Sequence, residues 1–385
     1  MPSLTRRKLL SHLTCAATVS TISPIWRAYP AVAARDATEE EPSETESHAL
    51  SEIATQFMRD FGVPGLSVAI TRHTNLVYQA AYGTPDSEHP EEKLTPDHLF
   101  RIASVTKPIT SAAIFAVVES GALELDQHIF GADGYLAEEY GNAFPDNLKQ
   151  ITLHHLLTHT AGGWVNDGND PMFSHPTINH QELIEWTLRN RPLQHAPGTR
   201  YGYSNFGYCV LGRVIEKAWG KSYVEAVKES VLSQCNIRDM GLATNEQAPD
   251  EVRYFGQNGE NPYSTNMNIP RMDSHGGWLA TATDLVRFAV CVDGFESSPN
   301  ILRPETVQKM TTPTTASGNY ACGWQVNSVP NWWHSGSLPG TSTLLVRTAS
   351  GLCWAVLTNT RTKDIGLALD QMMWKIVKAV PNWHA

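Results

Sequence analysis

Apolar positions run continuously or alternate at the two ends of the chain and recur with helical spacing between them. GLSVAITR (65–72) and LVYQAAYG (76–83) read as two strands with a turn near His73–Asn75. Four further strand patterns crowd the C-terminal part: YACGWQV, NWWHSG, STLLVRT and LCWAVLTN. Helical patterns are SEIATQFMRDFG, closing on Gly62; SAAIFAVVESG, ending at Gly121; LHHLLTHT; HQELIEWTLRN; NFGYCVLGRVIEKAWG; and IGLALDQMMWKIVKAV. GGWLATATDLVRFAVCV reads as one more helix, with Thr281 or Thr283 as its cap. This order predicts an α/β (α+β) fold: a central antiparallel sheet built from both chain ends and flanked by helices, with an all-helical insertion over about 122–265.

Ahead of the first helix the pattern changes. Residues 1–33 contain TRRKLL, a weakly apolar stretch and the small residues Ala31–Ala33. They read as a bacterial twin-arginine export signal, so the protein is expected to be exported, to the periplasm or beyond. Residues 34–50, polar and acidic, read as a disordered linker, and 51–385 as the folded domain. Composition is that of an ordinary globular protein, 41% hydrophobic and 18% charged, with no run long enough for a membrane-spanning helix. The net charge of −10 becomes −14 if Arg6, Arg7, Lys8 and Arg27 leave with the signal, a balance that repels phosphate backbones and argues against nucleic acid as a partner. The cysteines that remain (Cys209, Cys235, Cys291, Cys322 and Cys353) are odd in number and lack paired short spacings, against a disulfide framework or a zinc cluster. Cys353 is expected in the core.

Candidate chemistry starts at ASVTKPIT, residues 103–110. Proline lacks an N–H and sits well only near a helix start, so Pro108 places the start near Ser104. Residues three apart share a helix face, so Ser104 and Lys107 are neighbours there. A serine hydroxyl is a poor nucleophile until a base takes its proton, and lysine serves only where burial or positive charge lowers its pKa. A capping serine and a solvated lysine would explain the same residues. Two other stretches change the balance: Tyr203-Ser204-Asn205, before a helix that Asn205 is suited to cap, and His334-Ser335-Gly336, at a strand end.

Ser-x-x-Lys at a helix start, Tyr-x-Asn in the helical insertion and Lys/His-x-Gly on a late strand resemble the penicillin-recognising serine hydrolases, in the branch of class C β-lactamases, certain DD-peptidases and family VIII-type esterases. GVPGLSVAI, FRIASVTKPIT, LLTHTAGG, GGWLATATDL and LPGTSTLLV add to the likeness, which runs from about Ser51 to the C-terminus. Tyr140-Gly141-Asn142 and His275-Gly276-Gly277 fit two of the motifs but lack the flanking context. The resemblance implies a β-lactamase/transpeptidase-like fold and acyl transfer through a serine ester without a cofactor. Ser104 would be the nucleophile, with Lys107 and Tyr203 sharing the proton work. Asn205 would hold the substrate amide or support Lys107; His334, Gly336 and Ser337 would line the substrate site, with the N–H groups of Ser104 and Ser337 receiving the oxyanion.

His334 stands where class C β-lactamases carry lysine, and an unperturbed histidine is mostly neutral at pH 7. The expectation is therefore a hydrolase of small esters or D-amino-acid amides and peptides with weak or absent β-lactamase activity. The alternatives are a class C-type β-lactamase or DD-carboxypeptidase, or a non-catalytic or metal-binding protein of the same fold. His155 and His159, i and i+4 on an expected helix with His154 adjacent, are the metal candidates, although no Glu follows His155. No Gly-x-Ser-x-Gly elbow is present. Trp164, Trp278, Trp332 and Trp333 are candidates to line an apolar cleft. Oligomeric state is not readable.

Overall fold

The strand patterns from the two ends of the chain pair with one another. The computed structural model describes residues 41–384, except 142 and 143; the expected export signal and the first part of the expected linker lie outside these residues, as does Asn142. In chain order the strands are β1 (Gly65–Arg72), β2 (Asn75–Gly83), β3 (Phe100–Arg101), β4 (Gly241–Leu242), β5 (Phe255–Gly256), β6 (Trp278–Ala280), β7 (Gln325–Val326), β8 (Trp332–Leu338), β9 (Thr341–Arg347), β10 (Leu352–Thr358) and β11 (Thr360–Arg361). The helices are α1 (Glu44–Phe61), α2 (Thr106–Glu119), α3 (Ala137–Tyr140), α4 (Asp146–Lys149), α5 (Leu153–Leu157), α6 (His180–Asn190), α7 (Asn205–Trp219), α8 (Tyr223–Val227), α9 (Ala282–Cys291), α10 (Pro304–Met310) and α11 (Ile365–Lys378).

Six strands form one antiparallel sheet in the order β2-β1-β10-β9-β8-β7. The expected sheet from both chain ends, flanked by helices, is what the chain forms. β10 is buried along its whole length, which is why its sequence is a continuous apolar run rather than an alternating one. Its side chains still divide by parity. Leu352, Trp354 and Val356 pack with Leu50 and Phe57 of α1 and Leu369 and Met373 of α11. Cys353, Ala355 and Leu357 face the other core, shared with α2, α7 and α9. The cysteine expected inside is inside.

Several elements differ from their sequence patterns. α1 begins at Glu44, within the stretch read as linker, because Ser43 and Glu46 cap each other's backbone and give the helix an earlier start. Trp278–Ala280 is a strand, joined to β3 and β4, and α9 begins only after Thr281, whose hydroxyl accepts the Asp284 N–H in a capping box. Within YACGWQV only Gln325–Val326 is strand; Gly323, at φ 81°, turns the chain just before it. α5 stops at Leu157, and His159 adopts φ 57°.

Trp354 is fully buried and meets Trp374 edge-on at 4.9 Å between ring centroids. Trp354→Ala is expected to destabilise the protein by about 3–5 kcal/mol through the cavity it leaves, read as a lower midpoint in denaturant unfolding.

Candidate active site

Ser104 stands on a 3-10 turn, Ala103–Val105, that leads straight into α2, with Pro108 in the helix's first turn. Ala103 has φ 48°, a left-handed conformation that costs an alanine about 1–3 kcal/mol and persists only where neighbours impose it. They are identifiable. The Thr341 hydroxyl donates to Arg101 O (3.0 Å) and the Thr343 hydroxyl to Ile102 O (2.8 Å), both from β9. Ile102 N–H donates to Trp278 O of β6 (3.0 Å). β8 closes on the same turn so tightly that a Cβ on Gly336 would stand 2.3 Å from Ile102 O and 2.1 Å from Thr343 Oγ1. Glycine at 336 is a steric necessity.

Lys107 is fully buried and its Nζ has three partners: Ser104 Oγ at 3.2 Å, Asn205 Oδ1 at 2.8 Å and His275 O at 2.8 Å. Burial holds its pKa well below the usual lysine range, against the opposing charge of Asp170. His275-Gly276-Gly277, which lacks the family context as a motif, thus contributes a main-chain carbonyl.

The Tyr203-Ser204-Asn205 segment is anchored by His159. The His159 carbonyl accepts the Gly202 N–H (2.8 Å) and its Nδ1 accepts the Ser204 N–H (3.1 Å). Tyr203 is half-buried; its ring lies 4.7 Å from Lys107 Nζ, with the Ser104 side chain nearby. Burial raises the Tyr203 pKa, so the phenol stays protonated. The cap of α7 is Ser204, whose Oγ accepts the Gly207 N–H (3.0 Å), and not Asn205 as the sequence suggested. That frees the Asn205 amide. Its Nδ2 donates to Asp170 Oδ2 (2.9 Å), which turns Oδ1 toward Lys107. Asp170 is 3% exposed, and burial pushes its carboxyl up to about 6 although the Met172 N–H and Asn205 bond to it.

His334 is 4% exposed, and both ring nitrogens are committed. Nδ1 faces Ser335 O at 2.7 Å and must carry the proton, since a carbonyl only accepts; Nε2 then accepts from the Tyr320 hydroxyl at 3.0 Å. Burial, with Lys107 nearby, lowers its pKa to about 3. His334 therefore brings no charge, and it is absent from the walls of the cavity beside Ser104.

That cavity, of about 410 Å³, is lined by Ser104, Asn205, Ser337 and Arg361, with Phe173, Met267, Met272 and Leu338 as its apolar wall. None of the four tryptophans expected there lines it: Trp164, Trp278 and Trp332 are buried in the core, and Trp333 packs toward α1 and α11. The i, i+4 histidine pair is not assembled either, because α5 ends before His159, and His155 Nδ1 accepts the Thr152 N–H (3.2 Å) of its own helix cap. Among the described residues no group of three or more His, Cys, Asp or Glu side chains is placed to hold a metal. Sequence reasoning missed Asp170, Thr341, Thr343, Tyr320 and Arg361. Asp170 reads as the cap of a Pro171 turn, which it also is, and nothing local marks the others.

Gly336→Ala is expected to push β8 off the Ser104 turn and to slow labelling of Ser104 by a serine-reactive phosphonate roughly 10²-fold, followed by intact mass. Labelling at the wild-type rate would contradict this packing.

Comparison with known proteins agrees with the architecture. Residues 50–372 match the family model described as Beta-lactamase. Esterase EstB of Burkholderia gladioli is 30% identical over 248 residues, 62% of this chain and 62% of the esterase. Penicillin-binding protein 4* of Bacillus subtilis is 25% identical over 300 residues, 71% of this chain and 63% of that protein. The match thus spans less than two thirds of the length of either relative. Among solved structures, the D-amino acid amidase of Ochrobactrum anthropi SV3 superposes with a TM-score of 0.73 at 21% identity, over 89% of this chain and 100% of the amidase. The β-lactamase/D-alanine carboxypeptidase of Pseudomonas syringae gives 0.71 at 17%, over 87% and 99%. These last two likenesses speak for the fold alone. No helix of the described residues is long and apolar enough to cross a membrane. With a family match that takes in both ends of the central sheet and every motif residue between them, the chain belongs to the β-lactamase family, among the penicillin-recognising serine hydrolases.

Proposed function

We propose that this protein transfers acyl groups from small esters, or D-amino-acid amides and peptides, to water through a covalent ester on Ser104, with little or no turnover of β-lactams. The observation that carries the reading is the set of partners around Lys107. As a neutral amine, Nζ has two N–H bonds and one lone pair. Asn205 Oδ1 and His275 O can only accept, so they take the two N–H groups. The lone pair is left for the one partner that can donate, the Ser104 hydroxyl. Burial favours that neutral form.

In this reading Ser104 gives its proton to Lys107 as Oγ bonds to the substrate carbonyl carbon. The carbonyl oxygen takes the charge between the N–H groups of Ser104 and Ser337, donors of a kind commonly worth a few kcal/mol. Tyr203, held protonated, passes its phenolic proton to the leaving oxygen or nitrogen and recovers one from Lys107. The bond to the leaving group breaks and an acyl ester remains on Ser104. Water then attacks that ester, its proton passes to the Tyr203–Lys107 pair, and Ser104 leaves with a proton from the same pair. The neutral, enclosed His334 supports the low β-lactamase activity, since no fixed charge stands where a lysine would meet a substrate carboxylate. The likeness to an esterase points the same way. Export by a twin-arginine signal is part of the proposal and rests on TRRKLL.

Ser104→Ala is expected to abolish labelling by the phosphonate and turnover across p-nitrophenyl esters, D-alanyl peptides, D-amino-acid amides and nitrocefin. In the wild type, nitrocefin should be the poorest of these; comparable rates on a cephalosporin and a short-chain ester would overturn the substrate ordering. Activity should fall as pH falls, because protonated Lys107 has no lone pair. Asp170 raises the Lys107 pKa, so Asp170→Asn is expected to move this acid limb to lower pH while cutting kcat/KM by roughly 10²-fold through a loosened Asn205 amide. An unmoved limb would remove Asp170 from the positioning of Lys107.

A further inference from the structure

We infer that Glu260 is a built-in occupant of the cavity's cationic position and that it restricts the enzyme to acyl groups uncharged at that end, an inference that rests on the hydrolase reading above. Beside Ser337 the cavity wall is completed by Leu338, Pro339 and Arg361. Among the residues that line it, Arg361 alone carries a full charge: Lys107 is fully buried, and burial holds His275 neutral. A guanidinium next to the acyl site is the natural receptor for a substrate carboxylate.

This guanidinium is already engaged. Arg361 Nε donates to Glu260 Oε1 (2.9 Å) and Oε2 (3.1 Å), one terminal N–H group also meets Oε1, and the other reaches Ser337 Oγ at 3.3 Å. Each side chain is 28% exposed, so the pair is less screened than an open surface one. The backbone brings the two together. β5 and β11 pair in parallel with Gly256 opposite Arg361. The chain then doubles back, with Glu260 N–H on Gln257 O (3.1 Å). A Cβ on Gly256 would stand 1.9 Å from Glu260 O, so the turn needs glycine there. Glu260 thus competes for Arg361 as a tethered carboxylate, at an effective concentration that a free substrate does not match. A neutral acyl chain has nothing to displace, and it can use Met267, Met272 and Leu338 instead.

The test compares p-nitrophenyl hydrogen glutarate with its methyl ester, which differ only by the distal charge, and reads the acid-to-ester ratio of kcat/KM. Wild type should favour the methyl ester. Glu260→Gln should raise the ratio by about tenfold, the equivalent of one modest charge pair. Arg361→Gln, which leaves Glu260 unpaired by the wall, should lower the ratio, and the double variant should return it toward the wild-type value. Thermal midpoints show which variants are folded, and either single variant suffices, since the two are expected to move the ratio in opposite directions. A ratio unmoved in a folded single variant that still turns over the methyl ester would overturn this inference alone. Absence of Ser104-dependent turnover of the methyl ester in wild type would overturn the hydrolase reading and this inference with it.

Discussion

An amine sealed from water is costly unless each of its hydrogen-bonding positions is met, and the centre of this protein is arranged around meeting those of Lys107. α2 carries the amine, α7 brings the Asn205 amide, and the segment before β6 brings the His275 carbonyl. Each of these is held from outside: Asp170 orients the amide, His159 fixes the backbone that precedes α7, and Gly277 lets the chain after His275 pass close to the Met272–Asp273 backbone. The Ser104 hydroxyl is the one partner of Lys107 that can both give and take a proton. Loss of any supporting contact would be felt there, even though neither Asp170 nor His159 lines the cavity.

The same economy of charge extends to the acyl end of the site. His334 occupies the third-motif position with both nitrogens turned into the protein, and Arg361 shares its charge with Glu260. The cavity therefore presents hydroxyl, amide and thioether groups rather than a net charge. In such a site, selectivity comes from shape and hydrogen bonding more than from long-range attraction, and the substrates proposed here follow from that.

How far the sequence could be read depended on whether a signal was local. β1, α6 and α7 lie where periodicity sets them, and the antiparallel sheet follows from strand patterns at both ends of the chain. Ser104, Lys107, Tyr203 and Asn205 stand out because each sits in a short pattern, and the structure gathers Ser104, Asn205 and the Tyr203 ring around Lys107. The errors came where a distant contact overrides a local preference. Trp278–Ala280 has helical neighbours yet becomes a strand because β3 and β4 flank it. Asn205 is a good cap by type, but Ser204 takes the cap because Asn205 is claimed by Lys107 and Asp170. The threonines of β9 look like ordinary strand residues; their tethering role exists only once β9 lies against the Ser104 turn.

β10, the last of the long strands to be synthesised, sits inside the sheet between β1 and β9. While the polypeptide is still emerging from the ribosome, the N-terminal hairpin can pack on α1 and α9, but β1 has no strand to pair with on its other side until residues 352–358 appear, and the hydroxyls that restrain the Ser104 turn come only shortly before. The turn that carries Ser104 thus gains its last restraints only with late, long-range pairing, a topology whose large sequence separations favour slow folding. Chain order thus delays the setting of that turn until residues 341–358 have been made.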